Sequence, residues 1–231
     1  MFKNFKDGAF AEERLNEAVR RVLALQEFVG TKPKNPTTFT KEDEVLLRDV
    51  AKDCVTAVTD EGAGVALTGE SRQKLFIVMT ENGFEPAMEI PEIVTDKWYY
   101  PDRIANRIKE NFPDAQIEFI PEFSSAGDHE RVLNKATKFK ETVVVTYCSS
   151  TCYQGTNCLT RRAEAWINSL QYSGKIAALV HFGNPFAIQT INHIRRKIFG
   201  YMIPESQEFA IDVLAGKMEA KGVFPFDIQF P

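Results

Sequence analysis

The sequence predicts an α/β fold: a three-layer α/β/α sandwich with a mostly parallel sheet, preceded by an N-terminal amphipathic helix. Short apolar runs that are continuous rather than alternating indicate strands covered on both faces, and helical patterns separate these runs. The chain has 231 residues, of which 44% are hydrophobic, so it can bury the core of one large domain with an appendage. We therefore expect helices above and below one sheet.

The first predicted element is an amphipathic helix over residues 12–29. Apolar side chains recur there at the i, i+3, i+4, i+7 spacing of one helix face: Leu15, Ala18, Val19, Val22, Leu25 and Val29. Gly30 suits the C-terminal end of this helix, and the segment that follows, rich in proline and threonine, is typical of a linker. A second helix is predicted to begin near Lys41. The predicted domains are therefore residues 1–35, the helix with its linker, and residues 36–231, the sandwich.

Beyond the second helix, apolar runs and helical patterns alternate. The predicted strands are KLFIVMT, AQIEFI, ETVVVTY, KIAALVHF and KIFGYMI, and GAGVAL near residue 64 is a candidate for a further strand. Segments such as DRIANRIKENF and TRRAEAWINSLQ are predicted helices. In SSAGDHERVLNKA, Asp128 comes just before a helical pattern and is predicted to be its N-cap.

Composition and charge exclude several classes of partner. The 28 basic and 32 acidic residues give a net charge of −4, without a block of like charge, so neither nucleic acid nor a membrane is an expected partner. The sequence has no apolar stretch long enough to span a bilayer and no secretory signal after its first residue, so we expect a cytoplasmic protein. Cys148, Cys152 and Cys158 lack the spacing of a zinc site and are expected to be reduced thiols.

The sequence contains no complete catalytic constellation. The patterns GxGxxG, GxxxxGKS/T, GxSxG and HExxH are missing, and we expect no cofactor, no metal and no catalytic residue in this chain. An independent hydrolase that uses Asp128, His129 or Cys148 remains an alternative hypothesis. Asp128 and His129 are adjacent at the start of a helix, however, where neighbouring side chains diverge.

Candidate ligand-binding residues follow two of the predicted parallel strands, because ligands of doubly wound sheets bind at the carboxyl ends of the strands. The candidates are Ser149, Ser150, Thr151, Tyr153 and Gln154 after ETVVVTY, and Asn184 after KIAALVHF. Their side chains suit a polyhydroxylated ligand. The alternative is that small polar residues here only form turns and helix caps. In either case we expect the two loops to lie at the same edge of the sheet.

The residues around Asn184 also predict a sharp corner at the end of a strand. Gly183 lets the chain turn, and Pro185 fixes its own φ angle and disfavours helix for Asn184. His181 lies within the apolar run, so we interpret it as a buried histidine with satisfied hydrogen bonds rather than as a general base.

Two segments resemble parts of family 3 glycoside hydrolases. FKDGAFAEERLNEAVRRVLALQEFVG is similar to the helix that closes the catalytic barrel of that family and leads to its second domain. The stretch from TVVVTYCSSTCYQG through SGK and GNP, followed by GYMIPESQEFAIDVLAGKMEAKGVFPFDI, resembles the second domain itself. The resemblance covers residues 7–30 and 140–228 and is greatest to the β-N-acetylglucosaminidase branch.

The resemblance implies that the catalytic residues lie elsewhere. In this branch of the family the carboxylate nucleophile and an Asp-His acid/base pair belong to the barrel, and Asp128 and His129 lack the loop that surrounds that pair. We therefore expect a second, non-barrel domain that supports or edges a carbohydrate site on a barrel outside this chain and is inactive alone. The alternative is a self-sufficient small-molecule or carbohydrate-binding module. The expected partners are carbohydrate or a barrel domain or protein. Through its N-terminal helix the chain is predicted to bind either a second copy of itself or a separate barrel protein, and the alternative is a monomer in which this helix folds back on its own domain.

Overall fold

The structure is a computed structural model, and it describes residues 12–30, 40–80, 98–148 and 159–230. The chain divides into two units, Met1–Lys41 and Glu42–Pro231. In the first unit helix α1 spans Glu12–Gly30, as predicted. None of the helices in these ranges combines the length and apolar character that a membrane span requires.

Strands and helices alternate through the rest of the chain. Their bounds are α2 Lys41–Asp53, β1 Thr56–Thr59, β2 Lys74–Thr80, α3 Pro101–Asn111, β3 Gln116–Pro121, α4 Ala126–Ala136, β4 Glu141–Cys148, α5 Arg161–Tyr172, β5 Ile176–Gly183, β6 Arg196–Gly200 and α6 Pro204–Leu214. A short 3-10 helix at Ser71–Gln73 precedes β2, and another at Pro185–Ile188 follows β5.

The six strands form one sheet in the order β1-β6-β5-β4-β2-β3. All neighbouring strands are parallel except β1, which runs antiparallel to β6. The middle strands are almost entirely buried, as their continuous apolar runs predict. Helix α3 packs against α6, and α4 packs against α5. The predicted α/β sandwich with a mostly parallel sheet is therefore confirmed.

The prediction of a strand at GAGVAL is wrong. Gly62 has a φ of +75°, and the amide of Ala63 donates to the carbonyl of Asp60 at 3.0 Å, so the chain turns there. The strand in this region lies earlier in the chain, at β1, and was not predicted from the sequence. Strand β1 has only four residues, which is too short for a hydrophobic pattern to identify it. It is recognised instead by its antiparallel pairing with β6.

The predicted N-cap of α4 is also wrong by three residues. Ser125 is the N-cap, and its hydroxyl accepts from the backbone N–H of Asp128 at 3.2 Å. The Asp128 carboxylate in turn accepts from the backbone N–H of Ser125 at 2.9 Å. These two bonds form a capping box, in which the acidic residue lies at the third helical position rather than at the cap.

Candidate functional site

Five parallel strands direct their carboxyl ends to one edge of the sheet, which we call the carboxyl edge. Cys148, the last residue of β4, is the register partner of Gly183, the last residue of β5. These two strands therefore end side by side at the same edge of the sheet. Among the candidate ligand-binding residues, Asn184 belongs to the described residues. Five others lie outside them, namely Ser149, Ser150, Thr151, Tyr153 and Gln154.

The corner after β5 is tightly constrained at Gly183. Its φ is +96°, and a Cβ atom added there would lie 2.2 Å from the carbonyl oxygen of Cys148 and 3.2 Å from the Trp98 ring. A side chain at this position would therefore clash with the backbone of the neighbouring strand and strain its own backbone. Because Gly183 has no side chain, β5 can end directly beside β4.

Asn184 caps the short helix that follows the corner. Its side-chain oxygen accepts from the backbone N–H of Phe186 at 3.1 Å, and Pro185 occupies the first position of the helix. The backbone carbonyl of Asn184 accepts from the N–H of Ala187 at 3.0 Å. The expected turn-and-cap role of Asn184 is thus confirmed, and its role toward a ligand stays a prediction.

A cavity of about 570 Å³ lies beside this corner. Its volume falls within the range of about 300 to 1,000 Å³ that is usual for small-molecule sites. The segments that form it are the end of α2, the corner after β5, the end of β6 and the C-terminal segment. The lining residues are Asp53, Cys54, Asn184, Pro185, Phe186, Tyr201, Lys221, Gly222, Val223, Pro225 and Phe226.

Two stacked aromatic rings give the cavity an apolar wall. The ring centroids of Phe186 and Phe226 lie 4.9 Å apart with an angle of 26° between the planes, and each side chain is about 40% exposed. The charges at the wall are paired, because Lys221 Nζ lies 3.5 Å from a carboxylate oxygen of Asp53. This combination suits an uncharged ligand that has one apolar face and several polar groups.

Sequence reasoning missed most of the residues that line this cavity. Phe226 lies some 40 residues after Phe186, and the C-terminal segment reaches the sheet because Gly222 N–H donates to the carbonyl of Val55 at 2.9 Å. Gly222 also forms an isolated bridge with Thr56. The run GVFPFDIQF was the available signal, since its spaced aromatic residues indicate a segment that packs on another surface.

The buried histidine of β5 has partners on both ring nitrogens. His181 has no exposed surface, with Nδ1 at 2.8 Å from the hydroxyl of Thr146 and Nε2 at 2.9 Å from the carbonyl oxygen of Asn184. Burial lowers the pKa of His181 from its ordinary 6.5 to about 4, so the ring is neutral at pH 7. The interpretation of His181 as a core histidine with satisfied hydrogen bonds is confirmed.

The residues of the hydrolase alternative have separate partners. Hydrogen bonds from Ser125 lower the pKa of Asp128, which also receives a bond from Arg131 at 3.2 Å. His129 Nε2 lies 2.8 Å from the hydroxyl of Ser124, which is 1% exposed, and burial lowers the pKa of His129. These contacts tie Asp128 and His129 to the start of α4. In the described parts of the chain, no group of three or more His, Cys, Asp or Glu is placed to hold a metal ion.

Comparison with solved structures places this fold within larger proteins. A glycoside hydrolase family 3 β-N-acetylglucosaminidase from Paenibacillus sp. matches with a TM-score of 0.60 and 18% identity, over 96% of this chain and 40% of that one. A fungal multi-domain β-N-acetylglucosaminidase of the same family, which has a GCN5-related glucosamine N-acetyltransferase region, matches with a TM-score of 0.59 and 12% identity, over 98% of this chain and 25% of that one. A β-glucosidase from Listeria innocua matches with a TM-score of 0.54 and 16% identity, over 94% and 32% of the two chains.

These matches confirm the resemblance to a part of family 3 glycoside hydrolases at the level of the fold. The chain spans between 25% and 40% of the length of these three proteins. No family model and no curated protein matches the sequence.

Proposed function

We propose that this chain is the second, non-barrel domain of a protein like the family 3 glycoside hydrolases. In this proposal it supports or edges a carbohydrate site on a barrel outside the chain, and it is inactive alone. One observation carries the proposal. The fold match includes 96% of this chain but 40% of the Paenibacillus enzyme.

The carboxyl edge supplies the surface that would face the carbohydrate. The exposed rings of Phe186 and Phe226 can pack against the apolar face of a pyranose, and Asn184 and Tyr201 contribute polar groups to the same cavity. The paired charges of the wall favour a neutral sugar over an ionic ligand. Five further residues, which follow Cys148 in the sequence, complete the proposed set of sugar-binding residues: Ser149, Ser150, Thr151, Tyr153 and Gln154.

Exposed apolar side chains on both N-terminal helices support a protein partner. Helix α2 exposes four large apolar side chains by 46–63% each, namely Val45, Leu46, Leu47 and Val50. Helix α1 exposes seven by 40–60%, namely Leu15, Val19, Val22, Leu23, Leu25, Phe28 and Val29. Large apolar side chains that a helix leaves exposed to this extent suit an interaction site. The partner in our proposal is a barrel domain or protein, or a second copy of the chain, in the cytoplasm.

A hydrolysis assay on the purified chain tests the proposal. We expect no turnover of aryl N-acetyl-β-glucosaminides or aryl β-glucosides, because hydrolysis of a glycoside ordinarily needs two carboxylates on either side of the scissile bond. Turnover that copurifies with the chain and disappears in a single variant such as His129→Ala would contradict the proposal. It would favour an independent hydrolase instead.

The cavity also favours a second candidate, a self-sufficient module for carbohydrate or another small molecule. A module needs no partner, because its site is complete within one chain. The two candidates differ in the affinity that the isolated chain has for a sugar. Binding that is already tight without a partner would favour the module, whereas weak binding that a barrel protein strengthens would favour the second-domain proposal.

A further inference from the structure

A continuous set of hydrogen bonds, made by the buried side chains of Thr146 and His181, links the middle of the sheet to the cavity wall. Thr146 on β4 and His181 on β5 are register partners, and neither has exposed surface. The Thr146 hydroxyl lies 2.8 Å from Nδ1 of His181, and Nε2 of the same ring lies 2.9 Å from the carbonyl oxygen of Asn184. The imidazole therefore connects a neighbouring strand to the corner three residues further along its own chain.

The partners of the ring determine its tautomer. A carbonyl oxygen can only accept a hydrogen bond, so Nε2 of His181 carries the proton and donates to Asn184. In the neutral ring Nδ1 is then an acceptor, and the Thr146 hydroxyl donates to it. The direction of both bonds is thus fixed, and the donor at the start of the series is Thr146.

The bond to Asn184 acts on the residues that line the cavity. The Asn184 carbonyl accepts from both His181 and the N–H of Ala187, and the Asn184 side chain accepts from the N–H of Phe186. These three bonds orient the peptide after Gly183 and the first turn of the short helix. Phe186, whose ring stacks on that of Phe226, lies in that turn.

We propose that Thr146 and His181 are positioning residues that hold the corner at Asn184 and Phe186 in the conformation that lines the cavity. Their importance for ligand binding rests on the function proposed above for the carboxyl edge. Their effect on the corner does not depend on that function.

The pairing of this polar set ties the buried imidazole of His181 to the corner at Asn184. Burying an imidazole and a hydroxyl costs free energy unless every polar group is paired, and an apolar side chain would fill the same space without that cost. Thr142 on the same strand provides the comparison, because its buried hydroxyl has no hydrogen-bond partner. The hydroxyl of Thr146 thus bonds to His181, whereas the hydroxyl of Thr142 bonds to no other residue.

Three variants and hydrogen exchange test the proposal. Thr146→Val removes the hydroxyl that donates to His181, Thr142→Val is the matched control, and Thr146→Ser restores the donor. We expect Thr146→Val to raise the exchange rates of the Phe186 and Ala187 amides about tenfold relative to slowly exchanging amides of the sheet, as the loss of one buried bond implies. Thr142→Val and Thr146→Ser should leave these ratios within about twofold of the parent.

The tautomer of His181 gives a second measurement that needs no variant. Nitrogen-15 spectra of the intact protein should show the proton on Nε2, and in Thr146→Val the Nδ1 resonance should shift because it loses its donor. A proton on Nδ1 in the parent, or equal effects of Thr146→Val and Thr142→Val on the corner, would overturn the proposal. If Thr146→Val does not fold, the parent tautomer and Thr146→Ser decide the question.

Titration of the same variants with N-acetylglucosamine separates this proposal from the function on which it rests. If Thr146→Val loosens the corner and weakens sugar binding, both stand. If the corner loosens while the parent chain binds no sugar, the positioning role of Thr146 and His181 stands and the proposed function of the carboxyl edge fails.

Discussion

Gly183 and His181 determine, at the scale of single residues, how the cavity wall is built. Gly183 lets β5 end against the carbonyl of Cys148, and His181 holds the residue that follows. The need for glycine could be predicted from the sequence, since Gly-Asn-Pro after an apolar run indicates a sharp corner. The bonds of His181 could not, because Thr146 becomes its neighbour only through the pairing of β4 with β5.

Gly183→Ala should destabilise the protein much more than Gly174→Ala. Both glycines have positive φ angles, +96° and +68°, so both variants strain the backbone by about 1 kcal/mol. At Gly183 the added Cβ would clash with the backbone of the neighbouring strand β4, whereas at Gly174 no atom lies within 4 Å of the added Cβ. We expect Gly183→Ala to cost about 2 kcal/mol more of the free energy of unfolding, measured with urea. Equal losses would show that the corner can relax.

Stability should fall in acid in a way that depends on His181. The folded pKa, about 4, lies below the ordinary 6.5, so the stabilisation is fully present above pH 6.5 and is lost as the pH falls toward 4. The loss over this window is roughly 3 kcal/mol, since each pKa unit corresponds to about 1.4 kcal/mol. The difference in the free energy of unfolding between the parent and His181→Gln, measured with urea, should therefore shrink by that amount between pH 7 and pH 4. Parallel pH profiles would contradict the burial of a neutral His181.

At the scale of elements, most helices and strands follow from the sequence and the exceptions depend on distant partners. Short apolar runs correctly predict β2 to β6, and the runs of β2, β4 and β5 are continuous because these strands are covered on both faces. Strand β1 has four residues and is defined by its pairing with β6, some 140 positions later. The ion pair between α3 and α6 also depends on residues that are distant in sequence, because Arg107 and Asp212 are 105 residues apart.

Arg107→Ala should destabilise the protein by about 3 kcal/mol. Arg107 holds both oxygens of Asp212, with Nε at 2.8 Å and Nη2 at 2.6 Å, and these bonds raise the pKa of the arginine. Removing the guanidinium leaves a carboxylate that is 5% exposed with a bond from Asn111. Arg103→Ala is the matched control, because Arg103 joins the same helices through its more exposed pair with Glu208 and should cost less than about 1 kcal/mol. Similar losses of the free energy of unfolding for Arg107→Ala and Arg103→Ala, measured with urea, would show that water or other groups solvate the Asp212 carboxylate once Arg107 is removed.

At the scale of the whole molecule, the cavity combines four segments that are far apart in sequence. The predicted parallel strands put Asn184 at the carboxyl edge, where it lines the cavity, and its role toward a ligand stays a prediction. Phe226 and Lys221 could not be added from the sequence, because their position depends on where the C-terminal segment crosses the sheet.

The N-terminal helix should control association of the chain. Helix α1 exposes large apolar side chains, and at about 25 cal/mol per Å² a few hundred Å² left in water would forgo several kcal/mol. Sedimentation should show a dimer, or a complex with a barrel protein, for the intact chain and a monomer for a version that starts at Lys34. Monomers of equal stability in both cases, with no barrel protein recovered from cells, would remove this role of α1.

A titration of the isotopically labelled chain with N-acetylglucosamine tests most directly whether the carboxyl edge faces carbohydrate. We predict weak, saturable shifts of the Asn184, Phe186 and Phe226 amides. Phe226→Leu should weaken binding at least fivefold, because a stacked ring is worth about 1 kcal/mol. Phe119→Leu, which changes an equally exposed phenylalanine on β3, should have no effect. Shifts away from the cavity, equal effects of the two variants, or no shifts at all would contradict a carbohydrate-facing role for this edge.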